Sequence, residues 1–304
     1  INIKFISGVV EKEGELFIIL DVIRIFTQTD EEKQKPRGQV LQDTSRDAYF
    51  APAVDAAAGE ASEAALGFIK ETLTALKHFS ASPLNETWLR QRFSDWASVR
   101  TGEEMQLKND AEATEFLAPF YSPGNGQFWN EDYAAAIKNV LPELTSNNIQ
   151  VWNLGCGKGY ETFSFACILK ARYPDGRIKI WANDNDIMAI SQAPNMIFDL
   201  DEVPEYCRAF MVRGRNGYSF NQVIKDSLLF EYHDILNENP LPELDIILAR
   251  DLLSFLSVPD QERIIDGFAE KLKGRGMVIL GRNEHLTRNE WKTVGKDPVS
   301  AFTR

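Results

Sequence analysis

Three glycines at alternate positions, Gly155, Gly157 and Gly159, close a short apolar run and open an amphipathic one in "NLGCGKGYETFSFACILKA" (153–171). Such a turn lets a ligand approach the backbone, and the helix behind it offers free N–H groups to a polar or anionic cofactor. Spacing rules out two common cradles. A dinucleotide fingerprint reads GxGxxG where this turn reads GxGxG, and Lys158 is not preceded by the G-x-x-x-x-G of a P-loop. Further polar groups stand at the ends of later apolar runs: Asp184 and Asp186 in "WANDND", then Asp234 in "EYHDIL". Taken singly, these are a tight turn, an exposed acidic turn and a strand-end cap. At successive strand ends they converge on one crevice, which predicts a nucleotide-like ligand there.

For those residues to meet, the chain around them must be a sheet with helices. β-rich runs at Ile149–Leu154, Ile178–Ala182, Asp245–Leu248 and Met277–Leu280 alternate with helical patterns at 131–144, 160–172 and 260–273. The alternation predicts an α/β fold, a parallel Rossmann-like sheet covered on both faces. Pro259-Asp260 and Gly274 read as the start and stop of the last helix. Within 205–233, "AFMVRGRNGYSF" sets Gly214, Asn216 and Gly217 between two extended runs, an antiparallel hairpin insertion. Upstream, Leu66, Ile69, Leu73 and Leu76 share a helix face, and Trp88, Leu89, Phe93 and Trp96 continue the trend. Residues 63–125 therefore read as a small helical subdomain closed by "SPGNG", with both tryptophans as packing residues. Residues 28–62 have a linker composition that turns helical at its end. Residues 1–27 read as strand, turn, strand and short helix, too little to bury a core alone.

A net charge of −12 over 304 residues argues against broad nucleic-acid binding, which needs phosphate-neutralising lysines and arginines. Cys156, Cys167 and Cys207 are odd in number and form no CxxC pair, so a reduced cytoplasmic setting is expected. His78, His233 and His285 lie far apart, and no metal site is expected. No apolar run approaches the roughly 18 residues of a membrane span, and no signal-like start is visible. Ile1 in place of Met is read as a chain that begins inside a longer protein.

A GxGxG turn after the first strand, with an acid ending the next, is usual in S-adenosylmethionine methyltransferases. The likeness then becomes specific. "GCGKGYETFSFA", "ANDND", "ARDLLSFL…QERII" and "GRNE" resemble, in order and spacing, the chemotaxis receptor methyltransferases (CheR). That family reads "GCSTGEEPYSIA", "ATDID", "CRNVLIYF…QERVL" and "GHSE" at these places. The resemblance spans 126–304 and includes 205–233, which in the family is a β-subdomain that docks on receptor tails. The opening "FISGVVEKEGELFIILDVIRIF" resembles the carboxyl-terminal end of a CheW-type coupling domain. The resemblance implies S-adenosylmethionine or S-adenosylhomocysteine as cofactor. It implies Gly155, Gly157 and Gly159 as the cradle, Glu161 for the ammonium, Asp184 for the ribose, Asp234 toward the adenine, and Arg250 as the "RN" arginine. It also implies chemoreceptors, a CheA-type histidine kinase and other coupling proteins as partners in a cytoplasmic receptor array. Self-association stays open.

The acceptor side departs from the family. An arginine of its "FFR" segment is Asn130 here, in "QFWNE", and no arginine lies anywhere from 101 to 171. The tyrosine of "RNVLIY" is Phe255, in "RDLLSF", and the asparagine is Asp251. Lys158 sets a cation near a sulfonium ligand, unfavourable unless it points to solvent. Residues 66–125 hold six Lys or Arg against eight Asp or Glu, unlike the family's basic receptor-facing surface. The expectation is that neither a fixed cation nor a phenol remains to hold a carboxylate, and that Asp251 repels one. On that basis the chain reads as a degenerate methyltransferase-like domain that serves array assembly. The alternative is an active protein-glutamate O-methyltransferase.

Overall fold

The computed structural model describes residues 6–12, 15–20 and 53–304, Thr145 excepted. The chain forms two compact units, Ile1–Ala51 and Pro52–Arg304. In the first, β1 (Ile6–Lys12) and β2 (Glu15–Leu20) pair antiparallel, Val10 opposite Phe17 and Lys12 opposite Glu15. The short helix expected after this hairpin and residues 28–52 of the expected linker lie outside the described residues, whereas its last part, 53–62, is helical.

The second unit opens with α1 (Ala53–Lys77), α2 (Glu86–Ala97) and α3 (Asp110–Leu117). Leu66, Ile69 and Leu73 are buried, whereas Leu76 is 40% exposed. At about 100° per residue, Leu76 falls at the edge of the stripe that the other three define. Trp96 is buried with its Nε1 donating to Met105 O (3.0 Å), and Trp88 packs on Phe120 at 4.9 Å between centroids. Both tryptophans are packing residues.

The remainder runs α4 (Glu131–Val140), β3 (Asn148–Leu154), α5 (Tyr160–Arg172), β4 (Arg177–Asp184) and α6 (Ile187–Gln192). Next come α7 (Glu205–Arg208), β5 (Met211–Arg213), β6 (Tyr218–Phe220), α8 (Gln222–Lys225) and β7 (Leu228–Tyr232). Last are β8 (Leu244–Ala249), α9 (Val258–Lys271), β9 (Leu272–Leu280), β10 (Lys292–Thr293) and β11 (Ser300–Thr303). The main sheet is ordered β10-β11-β9-β8-β3-β4-β7, with β9, β8, β3, β4 and β7 parallel and the other two antiparallel. The chain winds outward from β3 to β7, then crosses back to β8 and β9. That reversal beside β3 is where an open α/β sheet leaves a crevice at its carboxyl edge. Every residue of β8 is buried, as a strand covered on both faces requires.

Two helix ends differ from the sequence pattern. α4 stops at Val140 because Leu141 precedes Pro142 and is extended (φ −57°, ψ 134°), the conformation a following proline imposes. α9 runs directly into β9, so Gly274 lies inside a strand and does not end the helix. One core lies under α4, α5 and the β5–β6 hairpin. A second, built around Trp152, Phe268 and Trp291, covers the opposite face, and a third fills the α1–α3 subdomain. Among the described residues no helix is long and apolar enough to cross a membrane.

Candidate functional site

The glycine turn leaves β3 with Gly155, Gly157 and Gly159 all at positive φ (65°, 52° and 90°), where a side chain would be strained. A Cβ on Gly159 would also sit 3.0 Å from the Phe230 ring, whereas one on Gly157 would meet nothing within 4 Å. Backbone bonds pin the turn: Cys156 N donates to Asn183 O (3.0 Å) and Gly159 N to Cys156 O (2.9 Å). Asp184 closes it from β4, its Oδ2 accepting from Gly157 N at 2.7 Å and its Oδ1 from Asp186 N at 2.8 Å. Asp186 turns away to cap α6 through Met188 N and Ala189 N. Of the two acids in "WANDND", Asp184 is the one held against the turn.

Two cavities flank this turn. One, of about 320 Å³, is lined by Tyr121, Gly157, Lys158, Glu161, Arg250 and Phe255, among others. The other, of about 180 Å³, is lined by Trp152, Asn183, Asp184, Asp234 and Leu236, among others. Gly155 and Leu252 border both. The structure thus brings Glu161 and Arg250 to one end, Asp184 and Asp234 to the other, and the glycines between. Asn130 is not brought there. Its side chain caps α4, accepting from Tyr133 N at 2.8 Å, the ordinary use of an asparagine before a helix.

Arg250, at the end of β8, has a fully buried side chain paired with Glu161. It also donates to Pro123 O (2.8 Å) and lies over the rings of Trp129 and Tyr133, 5.0 and 4.8 Å from their centroids. Glu161 Oε1 accepts from Arg250 and, more distantly, from Trp129 Nε1 (3.4 Å), while its Oε2 has no partner among the described residues. Burial raises the Glu161 pKa, and the Arg250 charge opposes that rise.

Asp251 also has a structural role. Its carboxylate accepts from Ser122 N (2.9 Å), Ser122 Oγ (2.7 Å) and Asn125 Nδ2 (2.7 Å). Three donors satisfy this carboxylate, so it anchors the 121–126 segment, while its charge still acts on its neighbours Tyr121 and Glu284. One correction follows. That segment carries Tyr121, whose ring lies nearly parallel to Phe255 (6°, centroids 5.7 Å) on the cavity wall. A phenol, Tyr121, therefore lines the cavity, while Lys158 on the same wall is exposed and not a fixed cation. Phe255 itself is wedged against Phe79 and Phe120 of the helical subdomain, and Ser80 N donates to Ser254 O (2.8 Å). Sequence reading missed Tyr121, Ser122 and Asn125. "SPGNG" marked only a boundary, and nothing local signals a contact across 129 positions.

Behind the site, the fully buried Glu284 of "GRNE" accepts from Ser254 N (2.9 Å) and Gly281 N (3.1 Å). Burial, then the nearby Asp251 charge, pushes its pKa from 4.5 up to about 7. Between those values the folded chain holds a proton that the unfolded chain has released. The Glu284 contribution to stability is therefore present below pH 4.5 and lost as pH rises through about 7. At roughly 1.4 kcal/mol per unit the loss is about 3 kcal/mol. Urea unfolding at pH 5 and pH 8 should show it, and Glu284→Gln should flatten the difference. An equal slope in the variant would assign the pH dependence to another group.

Residues 125–299 match the family model described as "CheR methyltransferase, SAM binding domain", and residues 59–116 match "CheW-CheR linker domain". Cher3 of Pseudomonas putida is 24% identical over 206 residues, covering 63% of this chain and 76% of that protein. A chemotaxis protein methyltransferase of Listeria monocytogenes is 25% identical over 190 residues, covering 59% and 72%. Among solved structures, the glycopeptide N-methyltransferase MtfA complexed with S-adenosylmethionine is 15% identical over 53% of this chain and 55% of that one. Its TM-score of 0.34 is too low to carry an argument. The family model spans more than half of the chain and contains the glycine turn, both acids and the Glu161–Arg250 pair: this chain belongs to the CheR methyltransferase family.

Proposed function

We propose that the chain is an S-adenosylmethionine-dependent methyltransferase of a chemotaxis system, with the cofactor side kept and the acceptor side rebuilt. The observation that carries this reading is the pair of cavities meeting at Gly155, with Asp184 and Asp234 at one end and Glu161 at the other. That layout suits a ligand with a nucleoside at one end and an amino acid at the other. The residues fit it. Asp184 uses two of about four acceptor positions on backbone amides, which leaves room for ribose hydroxyls. Glu161 Oε2 is free for an ammonium, and the space beside Gly157 is open. When bound, the cofactor supplies an electrophilic methyl group on a sulfonium.

The chain's own groups favour a carboxylate as the methyl acceptor. An amine or hydroxyl must give up a proton to a base. In the larger cavity, among the described residues, no histidine lines the wall, Asp251 is held by three donors and Glu161 is paired with Arg250. A carboxylate arrives already ionised and needs no base, and Tyr121 and Lys158 stand on the wall beside Asp251 to receive it. This supports the receptor glutamate that the resemblance implies, with 63–125 as the helical subdomain and, within 205–233, the β5–β6 hairpin as the receptor-docking element, since 228–232 belong to the main sheet as β7.

A second reading is favoured by Asn130 and Phe255, which hold a helix cap and an aromatic wedge in place of acceptor-binding groups. In it, the domain binds cofactor and serves assembly with chemoreceptors, a CheA-type kinase and coupling proteins. Residues 1–27 would then be the end of a CheW-type domain. Calorimetry should show S-adenosylhomocysteine binding on the order of micromolar. Asp184→Asn should weaken it roughly ten- to hundredfold, the worth of charge-assisted hydrogen bonds. Radiolabel transfer to receptor membranes separates the two readings, and no detectable cofactor binding rejects both.

A further inference from the structure

We propose that the Tyr121 hydroxyl is the donor that holds the acceptor oxygen at the mouth of the larger cavity, and that Asp251 is the residue that positions it. The assignment rests on the reading above, in which that cavity takes the amino-acid end of the cofactor with the acceptor beside it.

Four observations support it. Tyr121 lines the same wall as Glu161, Arg250 and Phe255, and at 42% exposure it is open to an incoming acceptor. Its hydroxyl has no partner among the described residues, and it stands beside Phe255, the position where the family's tyrosine is missing. The ring plane is fixed by Phe255 on one side and by the edge of Phe120, 6.0 Å away, on another. Finally, the backbone that carries Tyr121 is tied at the next residue. Asp251 holds both Ser122 N and Ser122 Oγ, and that hydroxyl also accepts from Arg282 N at 2.7 Å.

Asp251 does this from a left-handed backbone conformation (φ 52°) that a non-glycine residue rarely adopts. Such strain persists only where the surroundings over-determine it. Here they do: three donors converge on the carboxylate, and Gly281 lies so close that a Cβ would fall 2.2 Å from Asp251 Oδ1. The chemistry is consistent. Burial, and next the Asp251 charge, raise the Tyr121 pKa, so the phenol keeps its proton at neutral pH and has it to donate. A neutral donor suits an acceptor that is ionised already and has no proton to lose.

Tyr121→Phe removes the hydroxyl and keeps the stack, so it tests the assignment without emptying the wall. The full chain is labelled at the tyrosine ζ-carbons and titrated with glutarate as a carboxylate probe, with and without S-adenosylhomocysteine. The Tyr121 signal, identified by its loss in the variant, should shift with glutarate. Asp251→Asn should weaken that response while the folded spectrum is retained. With receptor membranes, Tyr121→Phe should lower kcat about tenfold while S-adenosylhomocysteine affinity stays within about twofold. A Tyr121 signal that ignores glutarate in both titrations, or an unchanged kcat, overturns the proposal. Failure of the wild-type chain to bind S-adenosylhomocysteine overturns the reading of the cavity instead, and the glutarate response of the free chain still decides Tyr121.

Discussion

Arg250→Met is expected to destabilise the fold by about 3–5 kcal/mol, because it strands a buried carboxylate without its cation. The Arg250 side chain is fully buried and Glu161 keeps only 11% of its side-chain surface exposed. Methionine fills much of the volume but cannot answer the Glu161 charge, bond Pro123 O, or lie as a cation over Trp129 and Tyr133. The double variant Glu161→Gln/Arg250→Met removes both charges and should recover a large part of the loss. Urea unfolding of the two singles and the double gives the coupling directly. If the double variant loses the sum of the singles, the two groups are not acting as a pair. S-adenosylhomocysteine binding should fall in every variant that changes Glu161, including the double, since stability can be restored without restoring the free Oε2.

Gly281→Ala should be nearly as damaging, at about 3 kcal/mol, the upper end of ordinary overpacking. The added methyl would lie 2.2 Å from Asp251 Oδ1, 2.7 Å from Asp251 N and 3.0 Å from Glu284 Oε2. Two of those atoms belong to carboxylates already locked in hydrogen bonds, and one is backbone, so none can swing aside cheaply. The expected relief is a shift of Asp251 that releases Ser122 and Asn125. Amide exchange at Ser122 should then accelerate far more than at Cys156, whose N–H is held by β4 on the other side of the turn. Equal protection of Ser122 in variant and wild type would mean that the 121–126 segment does not depend on this anchor.

Both predictions concern contacts that differ in how far the sequence discloses them. Glu161 and Arg250 stand in motifs that mark them as site residues, and the structure brings them to one cavity. Their mutual pairing was not legible, because 89 positions separate them. Asn130 shows the opposite case. Read as a missing arginine, it signalled a lost function, yet an asparagine ahead of Glu131 and Asp132 is also a plain helix-cap signal, and that is its role in the structure. Phe255 likewise reads as a missing phenol, while its ring packs against Phe79 and Phe120 and beside the phenol of Tyr121.

What the sequence determined by itself is the local and periodic part. Strand and helix order, the glycine turn and the acids at strand ends follow from residue periods and from the steric freedom of glycine, both properties of neighbouring residues. The tertiary structure alone decided what those elements hold. It decided that Asp251 anchors the 121–126 segment, that Glu161 keeps one oxygen free, and that "SPGNG", first read as punctuation, follows a tyrosine that reaches the cavity wall. These outcomes depend on side-chain directions between segments more than a hundred residues apart in the case of Asp251. Packing and burial settle such directions, and no local pattern encodes them.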